Sequence, residues 1–576
     1  MKKYCVEYER WLGSAAITES EREELISIKD NEELKELRFS SYMDFGTAGL
    51  RSTMNMGPGA MNRFTVAHTT RGIAKLVKSS GGRERGVAIA YDSRNNSREF
   101  ARVSACVLAG AGVKSYIFDG IRPTPELSFA VKKLGTMAGI NITASHNPKE
   151  YNGYKAYWED GAQIGPEQAT VVSRERESFD VLDTTDIMDY DEAKSKGLIV
   201  ELNEEFDELY IAAVMESSIN PDAIKSVADD LKVVYTPLHG AGYKLVPKIF
   251  ATMGLKHLYL VDAQMTPNGD FPTVVKPNPE YKEVFTLGID IANEVGSDLI
   301  IATDPDSDRV GVMSRTPDGS FATISGNQMG ALLLDYAIKQ RREKGMLTDG
   351  SYCVKSIVST DMAYKIATAN NVKIHDVLTG FKFIGEVIKN YESCGNTDGF
   401  ILGFEESYGY LLGSYARDKD AVEASMIILE MTAYYKKRSM TLFDALTALY
   451  KEYGYYKEAM IDIYMEGLDG IEKRRRIMSG LRECPPEELG GIKISKIGDY
   501  KKATVTSLAD GSVVSTGQPE SDVLYYTLAN EDKIIVRPSG TEPKIKIYVL
   551  SHGDTLEEIA EKIKLYERDA KKLTEV

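Results

Sequence analysis

One polar stretch of the chain reads Thr143-Ala144-Ser145-His146-Asn147-Pro148-Lys149-Glu150-Tyr151-Asn152-Gly153-Tyr154-Lys155. This stretch follows the apolar run 138–142 and breaks at a proline, as does a loop at the carboxyl end of a strand. It carries a hydroxyl on Ser145, an imidazole on the next residue and an amine on Lys155, which together can accept a phosphoryl group and manage a proton. A polar turn whose serine and asparagine cap backbone groups explains the same residues equally well, so the rest of the chain must decide.

Strand-like and helix-like segments alternate on both sides of this stretch. Short apolar runs predict strands, and segments with apolar residues at helical spacing separate them. The predicted strands are 87–91, 113–118, 138–142, 231–235, 298–302 and 353–358, and two of the predicted helices are 62–78 and 97–109. This alternation is typical of βαβ units with a largely parallel sheet, and three such units in series predict a structural repeat.

The two ends of the chain differ from this pattern. Residues 1 to about 40 are charged and have helical spacing, which predicts a helical lead-in. The region 456–536 has short alternating runs and turn signals, and further strands are predicted at 533–536 and 544–550 before a closing helix at 555–572. We therefore predict a small α+β domain with an antiparallel sheet at the C-terminal end.

Composition narrows the class of protein. The chain has 576 residues, 43% of them hydrophobic and 27% charged, which is ordinary for a globular protein and predicts roughly three to five domains. Its formal net charge of −16 argues against nucleic acid or an anionic membrane as a partner, but not against an anionic small molecule at a local basic cluster. The five cysteines lack CxxC spacing, and no run resembles a signal peptide or a membrane span, so we predict a cytoplasmic protein.

Three aspartates follow another predicted strand, in Asp304-Pro305-Asp306-Ser307-Asp308-Arg309. In an extended loop, carboxylates at every second position point the same way and can converge on one hard cation. An EF-hand is excluded, because its glycine position holds Arg309 and its final glutamate position holds Arg315. With three protein oxygens in a compact loop, a Mg²⁺ that shares its ligands with a phosphate fits best, and a solvated acidic turn is the alternative.

Two further loops carry polar groups suited to a sugar phosphate. Gly403-Phe404-Glu405-Glu406-Ser407-Tyr408-Gly409 offers a carboxylate and a hydroxyl for neighbouring sugar hydroxyls, and a capped acidic loop is the alternative. Arg537-Pro538-Ser539-Gly540-Thr541-Glu542-Pro543 combines a guanidinium, hydroxyls and a glycine, which is the composition of a phosphate-binding nest. A rigid turn between two strands is the alternative for this second loop.

Six loops in this order make the chain resemble the α-D-phosphohexomutase superfamily, which contains the phosphoglucomutases and phosphomannomutases. The matching loops are 46–51, 143–148 with 152–155, 304–309, 379–382, 405–407 and 537–541. The form of the 403–409 loop and the chain length are most similar to the branch that contains phosphoglucomutases and phosphopentomutases. The resemblance implies an α/β fold of four domains around a central cleft, with three similar mixed or parallel α/β domains and a smaller C-terminal α+β domain. The expected domains are 1–205, 206–320, 321–455 and 456–576.

The resemblance also implies a role for individual residues. Ser145 is similar to the serine that cycles through a phosphorylated state, and the catalytic residues implied around it are His146, Lys155, Arg309 and Arg51. The implied ligands of one Mg²⁺ are Ser145, Asp304, Asp306 and Asp308. The implied sugar-binding residues are Glu405 and Ser407, with Thr379, Gly380 and Lys382. The implied phosphate-binding residues are Arg537, Ser539, Gly540 and Thr541, together with Arg417 and Lys419.

The implied activity is the interconversion of glucose 1-phosphate and glucose 6-phosphate through a phosphoserine and a glucose 1,6-bisphosphate intermediate, which also acts as activator. Lys155 is the predicted base, with its pKa lowered from about 10.4 toward ~7–8 by neighbouring cations and desolvation, and His146 is the competing candidate. The nearest alternative is the same machinery acting on ribose, deoxyribose or mannose phosphate. A non-catalytic sugar-phosphate sensor is the alternative from another functional class, and both a monomer and a homodimer are compatible with the sequence.

Overall fold

The computed structural model describes residues 2–47, 49–465, 467–539 and 544–574. The predicted phosphate-binding residues Gly540 and Thr541 lie outside these ranges. Within them, no helix is both long enough and apolar enough to cross a membrane.

Three short helices precede the first sheet, and they confirm the predicted helical lead-in. They are α1 (Lys3–Leu12), α2 (Glu19–Ser27) and α3 (Glu32–Phe39). Thr18 starts α2 through a capping box with Glu21, which satisfies backbone donors that the helix itself leaves free. Trp11 is fully buried and makes edge contacts with Phe39 and Phe64, with ring centroids 6.0 and 5.5 Å away, so this segment packs onto the next helix of the chain.

The first sheet is mixed and has helices on its faces. Its elements are β1 (Leu50–Thr53), α4 (Arg63–Ser79), β2 (Val87–Tyr91), α5 (Ser97–Gly110), β3 (Ser115–Phe118), α6 (Thr124–Leu134), β4 (Ala138–Ile142), β5 (Tyr151–Trp158), α7 (Pro166–Arg176), α8 (Tyr190–Ser195) and β6 (Ile199–Leu202). The strand order is β1-β5-β4-β2-β3-β6. Strands β4, β2, β3 and β6 run parallel, whereas β5 pairs antiparallel with both β4 and β1.

The second sheet is built in the same way. Its elements are α9 (Glu204–Glu216), α10 (Asp222–Lys225), β7 (Lys232–Thr236), α11 (Gly242–Thr252), β8 (His257–Leu260), α12 (Asp262–Met265), a 3₁₀ helix (Lys282–Phe285), α13 (Thr286–Val295), β9 (Leu299–Thr303), β10 (Val310–Arg315) and β11 (Phe321–Ile324). The strand order is β11-β10-β9-β7-β8. Strand β11 pairs with β10 of this sheet although it lies beyond residue 320, where we predict a domain boundary.

The third sheet has four strands. Its elements are α14 (Gly326–Glu343), β12 (Tyr352–Ser356), α15 (Met362–Ala369), β13 (Lys373–Val377), α16 (Phe381–Ser393), β14 (Phe400–Glu405), β15 (Gly409–Leu411), α17 (Ala421–Lys436) and α18 (Leu442–Tyr453). The strand order is β13-β12-β14-β15.

The three sheets share one arrangement, which confirms the predicted structural repeat. In each sheet a central strand pairs in parallel on both sides, and the last of the parallel strands turns back into an antiparallel neighbour. The turning pairs are β4–β5, β9–β10 and β14–β15. The connections inside these pairs are 143–150, 304–309 and 406–408, so the three polar loops singled out in the sequence hold equivalent places in the fold.

The last sheet is different and antiparallel throughout, as predicted. Its elements are β16 (Tyr455–Tyr464), α19 (Gly467–Glu483), β17 (Glu488–Leu489), β18 (Ile492–Asp499), β19 (Thr504–Ser507), β20 (Val513–Ser515), β21 (Leu524–Leu528), β22 (Lys533–Pro538), β23 (Lys544–Gly553) and α20 (Leu556–Lys572). The strand order is β16-β23-β22-β21-β18-β19-β20, and β17 pairs with β18.

One helix runs through the largest hydrophobic core. Almost every described side chain of α17 is buried, which is typical of a helix that is enclosed on all sides. Asp420 caps its N-terminus by accepting hydrogen bonds from the backbone N–H groups of Val422 and Glu423 at 2.8 and 2.9 Å. The residue before the cap is Lys419, so this helix fixes a lysine at the point where the polar loops meet.

Candidate active site

The three equivalent loops meet, and backbone hydrogen bonds join them. The N–H of Thr124, at the start of α6, donates to the carbonyl of Asp306 at 2.8 Å. The N–H of Val310 donates to the carbonyl of Tyr408 at 3.1 Å, and the N–H of Ala421 donates to the carbonyl of Ser307 at 3.1 Å. The loop after β9 is therefore held by the first sheet on one side and by the third sheet on the other.

Each loop holds one residue other than glycine in the left-handed backbone region. The φ angles are 53° at Ser145, 51° at Ser307 and 65° at Tyr408. Such a conformation costs about 1–3 kcal/mol, and it persists where the surroundings determine the backbone strongly. The recurrence of this feature in all three loops indicates that they are shaped for a purpose other than connecting strands.

The nucleophile candidate lies against the aspartate cluster. The hydroxyl of Ser145 donates to Oδ2 of Asp304 at 3.0 Å, and both side chains are buried. One carboxylate oxygen from each of Asp304, Asp306 and Asp308 lies within 4.8 Å of the others, so the three could hold one metal ion. The Oδ1 atoms of Asp306 and Asp308 are buried and have no hydrogen-bond partner among the described residues. These donor atoms fit a hard divalent cation, because an unpaired buried carboxylate oxygen is costly.

The charges of the aspartates differ. Burial raises the pKa of Asp304, and the neighbouring Asp306 and Asp308 raise it further. Burial has the same tendency at Asp306, but Lys155 outweighs it and lowers the pKa of that carboxyl. Burial and like charges thus favour the neutral form of Asp304, whereas Lys155 favours the charged form of Asp306.

Lys155 lies inside this cluster, and its observed environment corrects one prediction. Its ammonium is 2.8 Å from Oδ2 of Asp306 and 3.4 Å from Oδ2 of Asp308. Burial alone would lower the pKa of Lys155, but the two carboxylates raise it. The predicted lowering toward neutrality is wrong, because the nearest charges are carboxylates rather than cations.

His146 lies next to the serine and keeps a neutral ring. Burial lowers the pKa of His146 well below its ordinary value, and the guanidinium groups of Arg309 and Arg51 lower it further. Its Nδ1 atom is buried and has no hydrogen-bond partner among the described residues. Arg51 donates to Oδ1 of Asn147 at 3.3 Å, so the arginine reaches the same loop from the neighbouring strand β1.

Two more cations border the aspartates. The ammonium of Lys419 lies 2.8 Å from Oδ2 of Asp308, and the guanidinium of Arg309 lies 3.9 Å from Oδ1 of the same residue. Arg309 also pairs with Glu280 at 2.6 Å, a contact that is not predicted from the sequence. Because Glu280 lies in a segment of mixed charge, Glu280-Tyr281-Lys282-Glu283, no sequence signal distinguishes it.

The predicted sugar-binding residues lie on neighbouring elements. The backbone N–H of Gly380, at the start of α16, donates to Oε1 of Glu405 at 2.7 Å. Burial raises the pKa of Glu405, and Glu406 adds to this effect. Thr379 and Ser407 are half-buried beside these groups in the chain, and burial lowers the pKa of Lys382 two residues further along. The structure thus brings the 379–382 and 405–407 segments together.

The predicted phosphate-binding residues lie in different parts of the structure. The guanidinium of Arg417 bonds with Glu392 and with the carbonyls of Ser414 and Ala416, so it is not directed to the aspartates. Arg537 is the last residue but one of β22 and pairs with Lys546 of β23. Burial and the charge of Glu406 raise the pKa of Tyr548 on β23, while Arg537 opposes this, so the last sheet faces the Glu405 loop. Ser539 follows Arg537 and donates its N–H to the carbonyl of Lys544 at 2.9 Å.

Comparisons with known proteins agree with this arrangement. Three family models match: phosphoglucomutase/phosphomannomutase α/β/α domain I at residues 43–180, domain II at 208–319 and domain III at 325–453. A phosphoglucomutase of Staphylococcus aureus is 37% identical over 533 residues, which are 91% of this chain and 92% of the relative.

Solved structures share the fold at lower identity. A putative phosphomannomutase from Thermus thermophilus has a TM-score of 0.68 at 21% identity, covering 93% of this chain and 100% of that one. An Aspergillus fumigatus N-acetylphosphoglucosamine mutase, solved with GlcNAc-6P and magnesium, has a TM-score of 0.50 at 11% identity, covering 100% and 98%. With the domain matches and the 37% identity, these findings establish that the chain belongs to the phosphoglucomutase branch of the α-D-phosphohexomutase superfamily.

Proposed function

We propose that this chain is a phosphoglucomutase, an isomerase that interconverts glucose 1-phosphate and glucose 6-phosphate. The observation that carries the proposal is the buried hydroxyl of Ser145, 3.0 Å from the Asp304 carboxylate at the centre of three converging loops. The named relative with 37% identity over 91% of the chain supports glucose as the sugar.

In this proposal Ser145 stores a phosphoryl group between two half-reactions. It gives the group to the free hydroxyl of a bound sugar monophosphate, and glucose 1,6-bisphosphate forms. The bisphosphate then turns over and returns its other phosphoryl group to the serine. The lysine and arginine side chains around the aspartates, Lys155, Lys419 and Arg309, balance the charge of the transferred group.

A divalent cation fits the same centre, and we propose Mg²⁺. Asp304, Asp306 and Asp308, with the phosphorylated Ser145, would hold it, and the Aspergillus relative was solved with magnesium. When bound, the cation supplies charge neutralisation for the phosphoryl oxygens.

The proton of the incoming hydroxyl needs an acceptor, and Lys155 and His146 are the two candidates. His146 is available as a neutral ring, because its pKa is lowered by burial. Lys155 has to lose a proton that Asp306 and Asp308 favour. Separate pH–rate profiles of Lys155→Met and His146→Gln show which of the two is the base. Removal of the base should abolish the fall of the rate on the acidic side of the profile.

The remaining residues are proposed to bind the sugar phosphate. Glu405 and Ser407 would contact two ring hydroxyls in both orientations of the sugar, while the Arg537 and Ser539 segment would hold the phosphate that is not reacting. The four domains with boundaries near 205, 320 and 455 belong to the same proposal. So do a cytoplasmic location, which suits the five free cysteines, and a monomeric or homodimeric state.

The decisive experiment is a coupled assay with glucose 1-phosphate, with and without catalytic glucose 1,6-bisphosphate. We expect turnover that rises with the bisphosphate, and an intact mass with one added phosphate that is lost in Ser145→Ala. Full activity of Ser145→Ala would overturn the assignment of the nucleophile. Absence of turnover with every sugar phosphate, combined with binding, would favour the non-catalytic sensor.

Sugar specificity needs a separate measurement. We expect kcat/KM for glucose 1-phosphate to exceed the values for ribose 1-phosphate and mannose 1-phosphate. A higher value for ribose 1-phosphate would make the chain a phosphopentomutase, and a higher value for mannose 1-phosphate would make it a phosphomannomutase.

A further inference from the structure

One buried arginine binds the backbone of the loop that carries Ser145. The guanidinium of Arg94 donates to the carbonyls of Ser145, Pro148 and Tyr151 at 2.6, 2.8 and 2.9 Å, and it also bonds the carbonyl of Asn147. Its side chain is fully enclosed. A guanidinium has five donors in a rigid plane, so four carbonyl contacts from one group fix the relative positions of these loop residues.

The backbone N–H of Ser145 is held by a second set of hydrogen bonds. Asp92 accepts a hydrogen bond from the Thr143 hydroxyl at 2.6 Å, and that hydroxyl accepts one from the N–H of Ser145 at 2.8 Å. Asp92 also accepts from the N–H of Arg94 at 3.0 Å. The N–H and the carbonyl of Ser145 are therefore both tied to one short segment, which explains how the serine keeps its left-handed backbone.

A loop of the second sheet covers this arginine. The ring of Phe271 lies over the Arg94 guanidinium, with 5.1 Å from the guanidinium carbon to the ring centroid. Next to it, Nδ2 of Asn95 donates to Oδ1 of Asp270 at 3.2 Å. A Cβ atom on Gly269 would stand 2.3 Å from the backbone nitrogen of Asn95, so only glycine permits this approach.

The covering loop is itself braced. His239 places Nδ1 at 3.0 Å from the carbonyl of Thr266 and Nε2 at 2.9 Å from the hydroxyl of Thr273. Because a carbonyl only accepts, Nδ1 carries the proton, and Nε2 of the neutral ring accepts from the hydroxyl. Phe271 has a φ of 46°, so this loop too is kept in a conformation that its neighbours must impose.

We propose that Arg94 and Phe271 are positioning residues for phosphoryl transfer, and that the Phe271 loop of the second sheet sets the position of the Ser145 hydroxyl through Arg94. The inference rests on the proposed function. Phosphoryl transfer depends on in-line placement of the reacting atoms, and a misplacement of about 1 Å can lower a rate on the order of 100-fold. Among the described residues, neither side chain forms a hydrogen bond or ion pair with the three loop aspartates at 304, 306 and 308 or with the sugar-binding segment; the ion pair of Arg94 is with Asp92, at 3.4 Å.

The test compares Phe271→Leu, Phe271→Tyr and Arg94→Lys in the full chain. We expect kcat to fall about tenfold in Phe271→Leu and on the order of 100-fold in Arg94→Lys, with KM for the sugar phosphate changed less than twofold. Phe271→Tyr keeps the ring face and should retain the wild-type kcat. Amide hydrogen exchange should become faster at Asn147 and Tyr151, whose N–H groups bond within the loop.

A matched pair elsewhere in the chain provides the control. Arg315 donates to the carbonyls of Ser297, Gly319 and Ala292 at 2.6, 2.7 and 3.2 Å, and its guanidinium carbon lies 4.5 Å from the ring centroid of Phe321. Arg315→Lys and Phe321→Leu should change thermal stability without a selective loss of kcat or faster exchange in the serine loop.

The outcomes separate the inference from the proposed function. An active wild type whose Phe271→Leu variant keeps both kcat and the exchange rates would overturn the inference alone. A wild type without mutase activity would overturn the proposed function, whereas the exchange measurement would still report whether Phe271 and Arg94 hold the loop. If the Arg315 and Phe321 controls lose kcat to the same extent, the loss of kcat comes from general destabilisation, and the positioning role is overturned.

Discussion

At the scale of single residues, Lys155 is the cation that contacts two carboxylates of the aspartate cluster. Its ammonium contacts Asp306 and Asp308, and all three side chains are buried. Lys155→Met takes from Asp306 its nearest cation and leaves Asp308 with Lys419, so the folded state should depend more on added metal. We expect saturating Mg²⁺ to raise the melting temperature of Lys155→Met by several degrees more than that of wild type, measured by scanning calorimetry with and without chelator.

The control for this prediction is Lys339→Met. Lys339 also bridges two carboxylates, Asp335 at 3.0 Å and Glu452 at 3.4 Å, but on helices away from the loops. Its loss should leave the response to Mg²⁺ unchanged. An identical Mg²⁺ response in Lys155→Met and wild type would contradict the compensating role of Lys155.

Asp532, in the turn between β21 and β22, should make the stability of the protein depend on pH in the acid range. Burial raises its pKa, but the hydrogen bonds from His552 and Tyr566 outweigh burial and lower the pKa to about 2. Because this value is below the ordinary value of about 3.9, the contribution is complete above pH ~4 and is lost as the pH falls toward 2; it amounts to about 2 kcal/mol. Asp532→Asn should therefore be less stable than wild type at pH 7, with a gap that narrows below pH 4 in calorimetric melts.

Asp569 offers a comparison for the acid prediction. Its pKa is also lowered to about 2, chiefly by a hydrogen bond from Arg568, but the pair lies at the surface of α20. Solvent and salt screen such a pair, so Asp569→Asn should change stability much less, and less still in high salt. A gap for Asp532→Asn that stays constant from pH 7 to pH 2 would refute the role of its pKa.

At the scale of elements, the contact between α4 and α7 depends on one glycine. A Cβ atom on Gly72 would stand 2.6 Å from the carbonyl oxygen of Val172, which belongs to backbone and cannot turn away. Alanine gains about 1 kcal/mol of helix propensity, but overpacking costs about 1–3 kcal/mol. Gly72→Ala should therefore lower the calorimetric melting temperature by about 2 °C.

The matched variant for Gly72→Ala is Gly480→Ala. Gly480 lies on the exposed side of α19, and an added Cβ atom would meet nothing within 4 Å. The gain in helix propensity is then not opposed by overpacking, so the substitution should stabilise the protein or leave its stability unchanged. Stabilisation by both substitutions would show that α4 and α7 can move apart at little cost.

The sequence predicted elements best where one physical signal dominates. The strand at 87–91 is confirmed in full, and those at 298–302 and 231–235 are shifted by one residue, because fully buried strands are continuous apolar runs. The interpretation of 143–155 as a loop was wrong from Tyr151 onward, where β5 begins. This strand mixes polar and aromatic residues and pairs antiparallel, so its burial comes from tertiary contacts that no local pattern reveals.

The candidate site was predicted at the level of its loops and less well at the level of its contacts. Ser145 and Asp304 were expected to meet, and their side chains are 3.0 Å apart. The direction of the Lys155 pKa was missed, because it depends on which charges are nearest in space. Arg94 was missed because its guanidinium acts on carbonyls of the chain itself, and a segment such as Asp92-Ser93-Arg94 has no pattern that distinguishes this from a surface turn.

At the scale of the whole molecule, the site exists only where sheets meet. The hydroxyl comes from the first sheet, the carboxylates from the second, and Lys419 and Glu405 from the third. Because a repeated strand pair places its connecting loop at the same edge of each sheet, three copies of one arrangement supply three different chemical groups. Function therefore depends on how the sheets are fastened together as much as on the residues of the loops.

The contact between the last sheet and the third sheet can be tested at Asp361. This carboxylate contacts Lys533 of β22 at 2.5 Å and the buried Lys355 of β12 at 3.5 Å, while Lys355 also holds Asp376 at 3.0 Å. Asp361→Asn takes a partner from the buried Lys355 and from the half-buried Lys533, and it should cost about 3 kcal/mol. Lys533→Met leaves Asp361 paired with Lys355 and should cost about 1 kcal/mol.

The predicted consequence is a difference in cooperativity between the two variants. The seam around Asp361 joins two apolar residues that follow β12 of the third sheet, Ile357 and Val358, to Ile535 and Tyr548 of the last sheet. Asp361→Asn should therefore separate the melting of the C-terminal sheet from the rest as a second, earlier calorimetric transition, and Lys533→Met should not. Equal melting profiles for the two variants would contradict this prediction. They would mean that Lys355 tolerates the loss of Asp361 while it keeps Asp376, and that the apolar contacts alone hold the last sheet.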